Sequence, residues 1–279
     1  MKKGLIRYGW RMTRAEVFAP AKINLTLHVT GQRADGYHLL DSLVVFADLG
    51  DRLMLSPGSD VTIEVTGRFA NGVPTDQSNL VWQAAQLAGW SGLVQLQKNL
   101  PHGAGIGGGS SDAAALLRAV GFNGDASTLG ADVPVCQHGR AARMSGIGEV
   151  VDPVEGLPPL HAVLVNPGVH VPTPHVFAGL GHKNNAAMTA LPPAPTIGAF
   201  FQWLRDQRND LEAPAVTAQP VIANVLKDLS EAAQGGVVRM SGSGATCFAL
   251  FETAGQAELA AKDIAAAHPD WWVRDCVLS

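Results

Sequence analysis

Apolar residues recur at every second position near the start of the chain. Ile23, Leu25, Leu27 and Val29 share one face within Glu16 to Val29, the period of a half-buried strand. Ala19-Pro20-Ala21 interrupts this pattern and predicts a turn between two strands, and GQRADG (Gly31 to Gly36) predicts another. His38 to Leu49 is a further apolar run. Arg52 to Ser56 and Val61 to Thr66 read as a hairpin around Pro57-Gly58-Ser59. Ser78 to Ala88 has helical spacing, with Ser78 or Asp76 as N-cap. Leu93 to Lys98 alternates again, with Val94 and Leu96 inward and Gln95 and Gln97 outward, and a helix is expected to run to about Val120.

The second half mixes the two periods. Strands are expected at His161 to Asn166, Val237 to Met240, Cys247 to Phe251 and Trp271 to Val277. Helices are expected at Ile197 to Arg205, Val221 to Ala233 and Gln256 to Ala267. Pro167 to Pro174 reads as a loop, and 181–196 as an unpatterned surface connection. Helices interspersed with hairpins predict an α+β fold with helices on one face of a sheet. PVEGLPP (Pro153 to Pro159) is the best domain boundary. The expected organisation is an extension at 1–11, a first domain at 12–158 and a second at 159–279, with Met12 as an alternative start.

Composition narrows the function classes. The 279 residues are 47% apolar and 16% charged, with net charge −4 and a pI near 6.1. A general nucleic-acid binder would need a basic footprint, so nucleic acid is not an expected partner. Cys136, Cys247 and Cys276 are odd in number, far apart and in no CxxC pair, which predicts buried thiols in a reducing compartment rather than a zinc cluster or disulfide framework. No apolar run approaches the roughly 20 residues of a membrane span. MKKGLIRYGWR has a basic end without an apolar core of signal-peptide length. The expectation is a cytoplasmic protein without a membrane partner.

The chemistry is concentrated in PHGAGIGGGSSDAAA (Pro101 to Ala115). Glycines let the backbone approach a ligand and adopt positive φ. A helix opening after them offers unpaired N–H groups and a positive dipole end to phosphate. GxGxxG is formally present at Gly103, Gly105 and Gly108, but the alternating strand before it has one open face, unlike the continuous apolar strand of a dinucleotide-binding unit. No acidic residue ends a second strand some 20 residues later. The pattern GxxxxGK[ST] is absent because no lysine follows these glycines.

Four segments, in order, resemble one superfamily, the GHMP kinases. They are PAKINLTLHVTGQRADGYHLLDSL (Pro20 to Leu43), the glycine run, LGADVPV (Leu129 to Val135) and SGSGATCFALF (Ser241 to Phe251). The resemblance extends over nearly the whole chain from residue 15. Within the superfamily, PAKINL followed by DGYH resembles the members that phosphorylate 4-diphosphocytidyl-2-C-methyl-D-erythritol on its 2-hydroxyl in the non-mevalonate route to isoprenoid precursors. The resemblance implies a domain like ribosomal protein S5 domain 2, followed by a ferredoxin-like domain, with the site in the cleft between them. It implies ATP as co-substrate, Mg²⁺ carried mainly by the nucleotide, and a monomer or weak homodimer. Two departures stand out. The stretch before Leu129 is short for the family, as if a helical hairpin were trimmed, and Gly181 to Pro195 aligns poorly.

The resemblance also assigns roles. Pro101, His102, Gly103, Ala104, Gly105, Ile106, Gly107, Gly108, Gly109, Ser110 and Ser111 form the ATP loop, and Ser110 or Ser111 offers a hydroxyl to phosphate or Mg²⁺. Asp132 is the general base or orients the attacking hydroxyl. Lys22 holds Asp132 ionised and stabilises phosphoryl charge. Asn24, two residues along the same strand face, lies near the acceptor hydroxyl. Tyr37 and His38 recognise cytidine by stacking and hydrogen bonding. Thr173 and Phe177 line the substrate side, and Ser241, Gly242, Ser243 and Gly244 approach the phosphates. Asn209 and Asp210 resemble a family segment but read as helix starters. No carboxylate spacing announces a metal cage, so the metal ligands stay unassigned.

Taken singly, these residues have ordinary explanations. The glycine run could be a structural turn with a serine cap, DVP a turn aspartate, and SGSGA a hairpin turn. Three other functions therefore stay open at this point. One is a superfamily kinase acting on mevalonate or homoserine, against which DGYH argues. The others are an NAD(P)-dependent oxidoreductase and a nucleic-acid module on the S5-like fold.

Overall fold

The computed structural model describes residues 14–279; the extension at 1–11 and the alternative start at Met12 lie outside the described residues. The chain opens with β1 (Ala15–Asn24), β2 (His28–Gln32), β3 (His38–Pro57) and β4 (Thr62–Thr66). It continues through α1 (Leu80–Leu87), β5 (Gly92–Gln97), α2 (Gly108–Ala119), α3 (Val133–His138), β6 (Ala142–Gly146) and β7 (Val150–Pro153). The second half comprises β8 (Leu160–Asn166), α4 (Thr173–Ala178), α5 (Ile197–Arg205), α6 (Glu212–Ala218), α7 (Val221–Ala233), β9 (Val237–Met240), β10 (Cys247–Phe251), α8 (Ala254–Ala267) and β11 (Trp272–Leu278).

The turn expected at Ala19-Pro20-Ala21 is instead an irregularity inside one strand. β1 pairs antiparallel with β3 on both sides of it, and the register shifts between Pro20 and Lys22. Proline cannot donate to a ladder and is tolerated where the pairing breaks. Gly50 of β3 is what lets the strands cross here, because a Cβ would stand 2.1 Å from the Ala19 carbonyl oxygen. The backbone groups released by the shift turn to the glycine run. Lys22 N–H donates to the Ile106 carbonyl at 2.9 Å, and Ser111 Oγ donates to the Pro20 carbonyl at 2.7 Å.

Two other expectations also change. His38 to Leu49 and Arg52 to Ser56 are a single 20-residue strand, because the polar break at Asp51 is buried and hydrogen-bonded. The predicted hairpin between Arg52 to Ser56 and Val61 to Thr66 does not form. β5 inserts between them, antiparallel to β3 and parallel to β4. A partner 31 residues downstream of β4 and 35 to 45 downstream of β3 wins over the local turn, and that choice has no local signature. The face assignment within β5 holds, with Val94 and Leu96 buried and Gln95 and Gln97 exposed. The cap of α1 is Asn79, whose side chain accepts from Val81 N–H at 2.8 Å. Asp76 accepts from Ser78 instead.

In the second half the strand order is β11-β8-β10-β9. Val163, Val165, Cys247 and Ala249 face α7 and α8, which pack Ile222, Val225, Leu229 and Ala257 against them. The opposite face is not open, contrary to the expectation of helices on one face. Leu164, Phe248 and Leu250 pack there against Phe200 and Leu204 of α5, Ile23 of β1, Leu25 just after it, and Val45 of β3. The chain end joins the halves, as β11 meets β3 at Leu278 and Ala47 and Ser279 exchanges two backbone hydrogen bonds of 2.9 Å with Phe46. The result, among the described residues, is an eleven-stranded sheet. Between α2 and α3 lies a short 3₁₀ turn, Ser127–Leu129. All three cysteines are buried thiols, and burial pushes Cys136 up to about 12, helped by the Asp132 carboxylate. Among the described residues no helix is long and apolar enough to cross a membrane.

Candidate active site

A cleft of about 920 Å³ is lined by both halves of the chain. On one side α2 begins at Gly108 after Gly107, an N-cap at φ +64° with no side-chain cap bond. First-turn N–H groups left without a side-chain cap at the positive end of a helix suit an anion. Two glycine turns interlock beneath. A Cβ on Gly105 (φ +72°) would lie 2.4 Å from the Ser241 carbonyl oxygen, and one on Gly242 would lie 2.8 Å from the Gly105 oxygen. Ser241 Oγ donates to the Gly105 carbonyl at 2.9 Å and accepts from Asn24 N–H at 3.0 Å. Thr246 N–H donates to the Ala104 carbonyl at 3.1 Å. The second glycine turn therefore buttresses the first.

Lys22 and Asp132 meet in the cleft, Nζ to Oδ2 at 3.0 Å, with side-chain exposures of 4% and 34%. Lys22 Nζ also donates to Asn24 Oδ1 at 2.8 Å, and Asn24 Nδ2 donates to Ser42 Oγ at 2.8 Å. This relay aims the ammonium at the carboxylate and leaves Asp132 open to solvent on its other side. A lysine this buried needs a partner, and Asp132 supplies it.

At the other end His38 stacks on Phe177, ring centroids 4.8 Å apart at 25°. Burial, and then the Lys183 ammonium, lower the His38 imidazole below its ordinary value, which favours the neutral ring. Its Nε2 is buried without a partner. Tyr37 is 61% exposed on the rim of the same cleft. Thr173 Oγ1 and Ser243 Oγ lie 2.8 Å apart, tying α4 to the second glycine turn.

The cleft thus gathers Lys22, Asn24, Tyr37, His38, Asp132, Thr173 and Phe177 with Gly103, Ala104, Gly105, Gly107, Gly108, Gly109, Ser110, Gly242 and Ser243. The remaining expected residues do other work. Ile106 is a core side chain, Pro101 and Ser241 are buried, and Gly244 packs behind the turn, where a Cβ would meet Met240 Sδ at 2.6 Å. His102 sets its edge against Phe69 at 6.3 Å. Of the two serines only Ser110 faces the cleft, since the buried Ser111 hydroxyl is bonded to Pro20. Asn209 is structural, its side-chain amide donating to the Met240 and Gly242 carbonyls at 2.8 Å each. Among the described residues no group of three or more His, Cys, Asp or Glu converges as a metal cage.

A buried charge cluster beside the loop escaped the sequence reading. Lys98 bonds both Asp51 and Asp112, the latter at 2.6 Å. Asp51 Oδ1 also accepts from Asn99 N–H at 2.5 Å and Leu100 N–H at 2.9 Å. Burial alone would lower Lys98, but the two carboxylates outweigh it and raise it. Burial lifts Asp112 to about 7 against the pull of Lys98. The alternation of β5 carried the signal, because the period that turns Val94 and Leu96 inward turns Lys98 inward too. Lys183, in the poorly aligned connection, also faces the cleft and had no pattern to mark it.

Known proteins resemble this chain in sequence and fold. The family described as GHMP kinases N terminal domain matches residues 79–140, and GHMP kinases C terminal matches 193–270. A 4-diphosphocytidyl-2-C-methyl-D-erythritol kinase of Dinoroseobacter shibae is 59% identical over 94% of this chain and 94% of its own length. One of that name from Paracoccus denitrificans is 51% identical over 91% and 93%. A crystal structure of 4-(cytidine 5'-diphospho)-2C-methyl-D-erythritol kinase superposes with TM-score 0.73 at 35% identity, covering 95% of this chain and 99% of that one. A homoserine kinase from Cytophaga hutchinsonii shares the fold at 16% identity and TM-score 0.61, covering 98% and 97%.

Proposed function

The chain belongs to the GHMP kinases, and from that premise we propose that it transfers the γ-phosphoryl group of ATP to the 2-hydroxyl of 4-diphosphocytidyl-2-C-methyl-D-erythritol. The acceptor oxygen forms the new bond to phosphorus, the bond to the bridging oxygen of ADP breaks, and the hydroxyl proton passes to Asp132. Such a transfer needs in-line positioning and charge stabilisation more than covalent help. The N–H groups of the glycine loop receive the phosphates, with Ser110 beside them. Lys22 pairs with Asp132 at 3.0 Å and faces the charge developing on the transferred group. Asn24 orients the Lys22 ammonium. His38, Phe177 and Tyr37 take the cytosine, and the unpartnered His38 Nε2 is suited to a hydrogen bond with the base edge. Mg²⁺ enters on the nucleotide, with phosphate oxygens and waters as its main ligands. We place the enzyme in the cytoplasm, as a monomer or weak homodimer whose net charge of −4 suits no nucleic-acid or membrane partner. We also retain the division at 158/159, which puts the ATP loop in the first part and the second glycine turn in the other.

The observation that carries this reading is the 3.0 Å Lys22–Asp132 pair in the same cleft as the glycine N-terminus of α2. The test is a panel of alcohols supplied with Mg·ATP: the cytidylyl alcohol, mevalonate and homoserine. Turnover of the first alone is expected. Turnover of mevalonate or homoserine without the first would end the reading.

A further inference from the structure

Asp132 sits at the N-cap of α3, and its side chain makes no capping bond there. Its orientation therefore follows the helix backbone. α3 has only six residues, too few to hold itself in place by its own hydrogen bonds. Its far end is held by the buried Val135 and Cys136, by Gln137 Nε2 donating to the Phe122 carbonyl at 2.8 Å, and by Arg118, in the last turn of α2, which also reaches β1. One guanidinium nitrogen donates to the Cys136 carbonyl, one of the carbonyls the helix end would leave open. The other donates to the Phe18 carbonyl of β1 at 3.2 Å, four residues before Lys22. Gly139 ends α3 at φ +67°, and a Cβ there would come within 3.5 Å of the same Arg118 nitrogen. α2 thus begins at the phosphate loop and ends on a fork joining the two segments that carry Lys22 and Asp132.

We propose that Arg118 is a positioning residue for the phosphoryl transfer, setting the Lys22–Asp132 separation by tying α3 to β1; the proposal rests on the roles given above to those two residues. The planar fork matters. A lysine can reach either carbonyl but cannot hold both in one plane. The cation also faces the negative end of α3. Misplacing a catalytic group by about 1 Å can cost about 100-fold in rate.

The test measures Arg118→Ala and Arg118→Lys on whichever alcohol of the panel the wild type phosphorylates, so a wrong acceptor sinks the earlier reading without touching this one. Arg118→Ala is expected to lower kcat about 10- to 100-fold with both KM values within about two-fold. Millimolar guanidinium should restore part of kcat in Arg118→Ala and none in the wild type, a response that a general loss of packing would not give. If Arg118→Ala does not fold, Arg118→Lys decides: a folded protein with reduced kcat and unchanged KM supports the proposal. Wild-type kcat in a folded variant, or a loss carried equally by both KM values and indifferent to guanidinium, overturns it.

Discussion

Replacing Lys98 by methionine removes the cation that bonds both buried carboxylates beside the glycine loop. Lys98, Asp51 and Asp112 are all nearly inaccessible, so water cannot take over the lost interactions. Asp51 keeps the Asn99 and Leu100 N–H groups, but Asp112 Oδ1 already lacks a partner. The substitution leaves the Asp51 and Asp112 carboxyl groups side by side in a dry site with the Lys98 cation gone. Removing one partner of a buried pair typically costs about 3–5 kcal/mol, a large share of a total stability of about 5–15 kcal/mol. At about 2–4 °C per kcal/mol for a chain of this size, Tm at neutral pH should fall by roughly 10 °C. The sign of the pH dependence is fixed by the carboxylates. Burial already lifts Asp112 to about 7 with Lys98 present, and removing the cation lifts it further, so the folded state binds the extra proton between the unfolded and folded values. Stability is then retained at low pH and lost as pH rises through that window. Urea unfolding of the wild type and Lys98→Met at pH 5.5 and 7.5 should show the smaller deficit at 5.5. An equal deficit at both pH values, or one under about 1 kcal/mol, would refute the argument.

Three further outcomes are expected. Asp132→Asn should lower kcat about 10²–10⁴-fold, with ATP affinity by calorimetry close to wild type; near-normal turnover would remove Asp132 from its role. His38→Ala should raise KM for the cytidylyl alcohol more than for ATP, and equal shifts would contradict base recognition. Gly105→Ala should cost about 1–2 kcal/mol from the positive φ alone, plus separation of the two glycine turns, because the new Cβ would stand 2.4 Å from the Ser241 oxygen. A Tm and KM for ATP both unchanged would show that the turns are not in contact.

How much was legible in the sequence depended on whether the signal was local. The glycine run before a helix, the alternation of β5 with its inward face, and the existence of the helices at Ile197–Arg205 and Val221–Ala233 were legible, because period and turn chemistry are local properties. The four motifs named the chemistry, since phosphate binding needs residues that stand next to one another. Pairing was not legible. Nothing near Arg52 or Thr62 says that β5 inserts between them, and Pro20 looks like a turn until its released carbonyl finds Ser111, 91 positions away. Nor does any local pattern tie Arg118 to Cys136 and Phe18, or Lys98 to Asp51.

The sequence by itself determined the loop that can grip phosphate, the residue types available for proton transfer, and the periods of most strands and helices. Tertiary structure alone decided that Lys22 and Asp132 face one another, that Ser110 and not Ser111 turns to the cleft, and that three buried charges stand beside the loop. The physical reason is range. Backbone preference and hydrophobic period act over a few residues, whereas the distance between two side chains is set by the packing of everything between them.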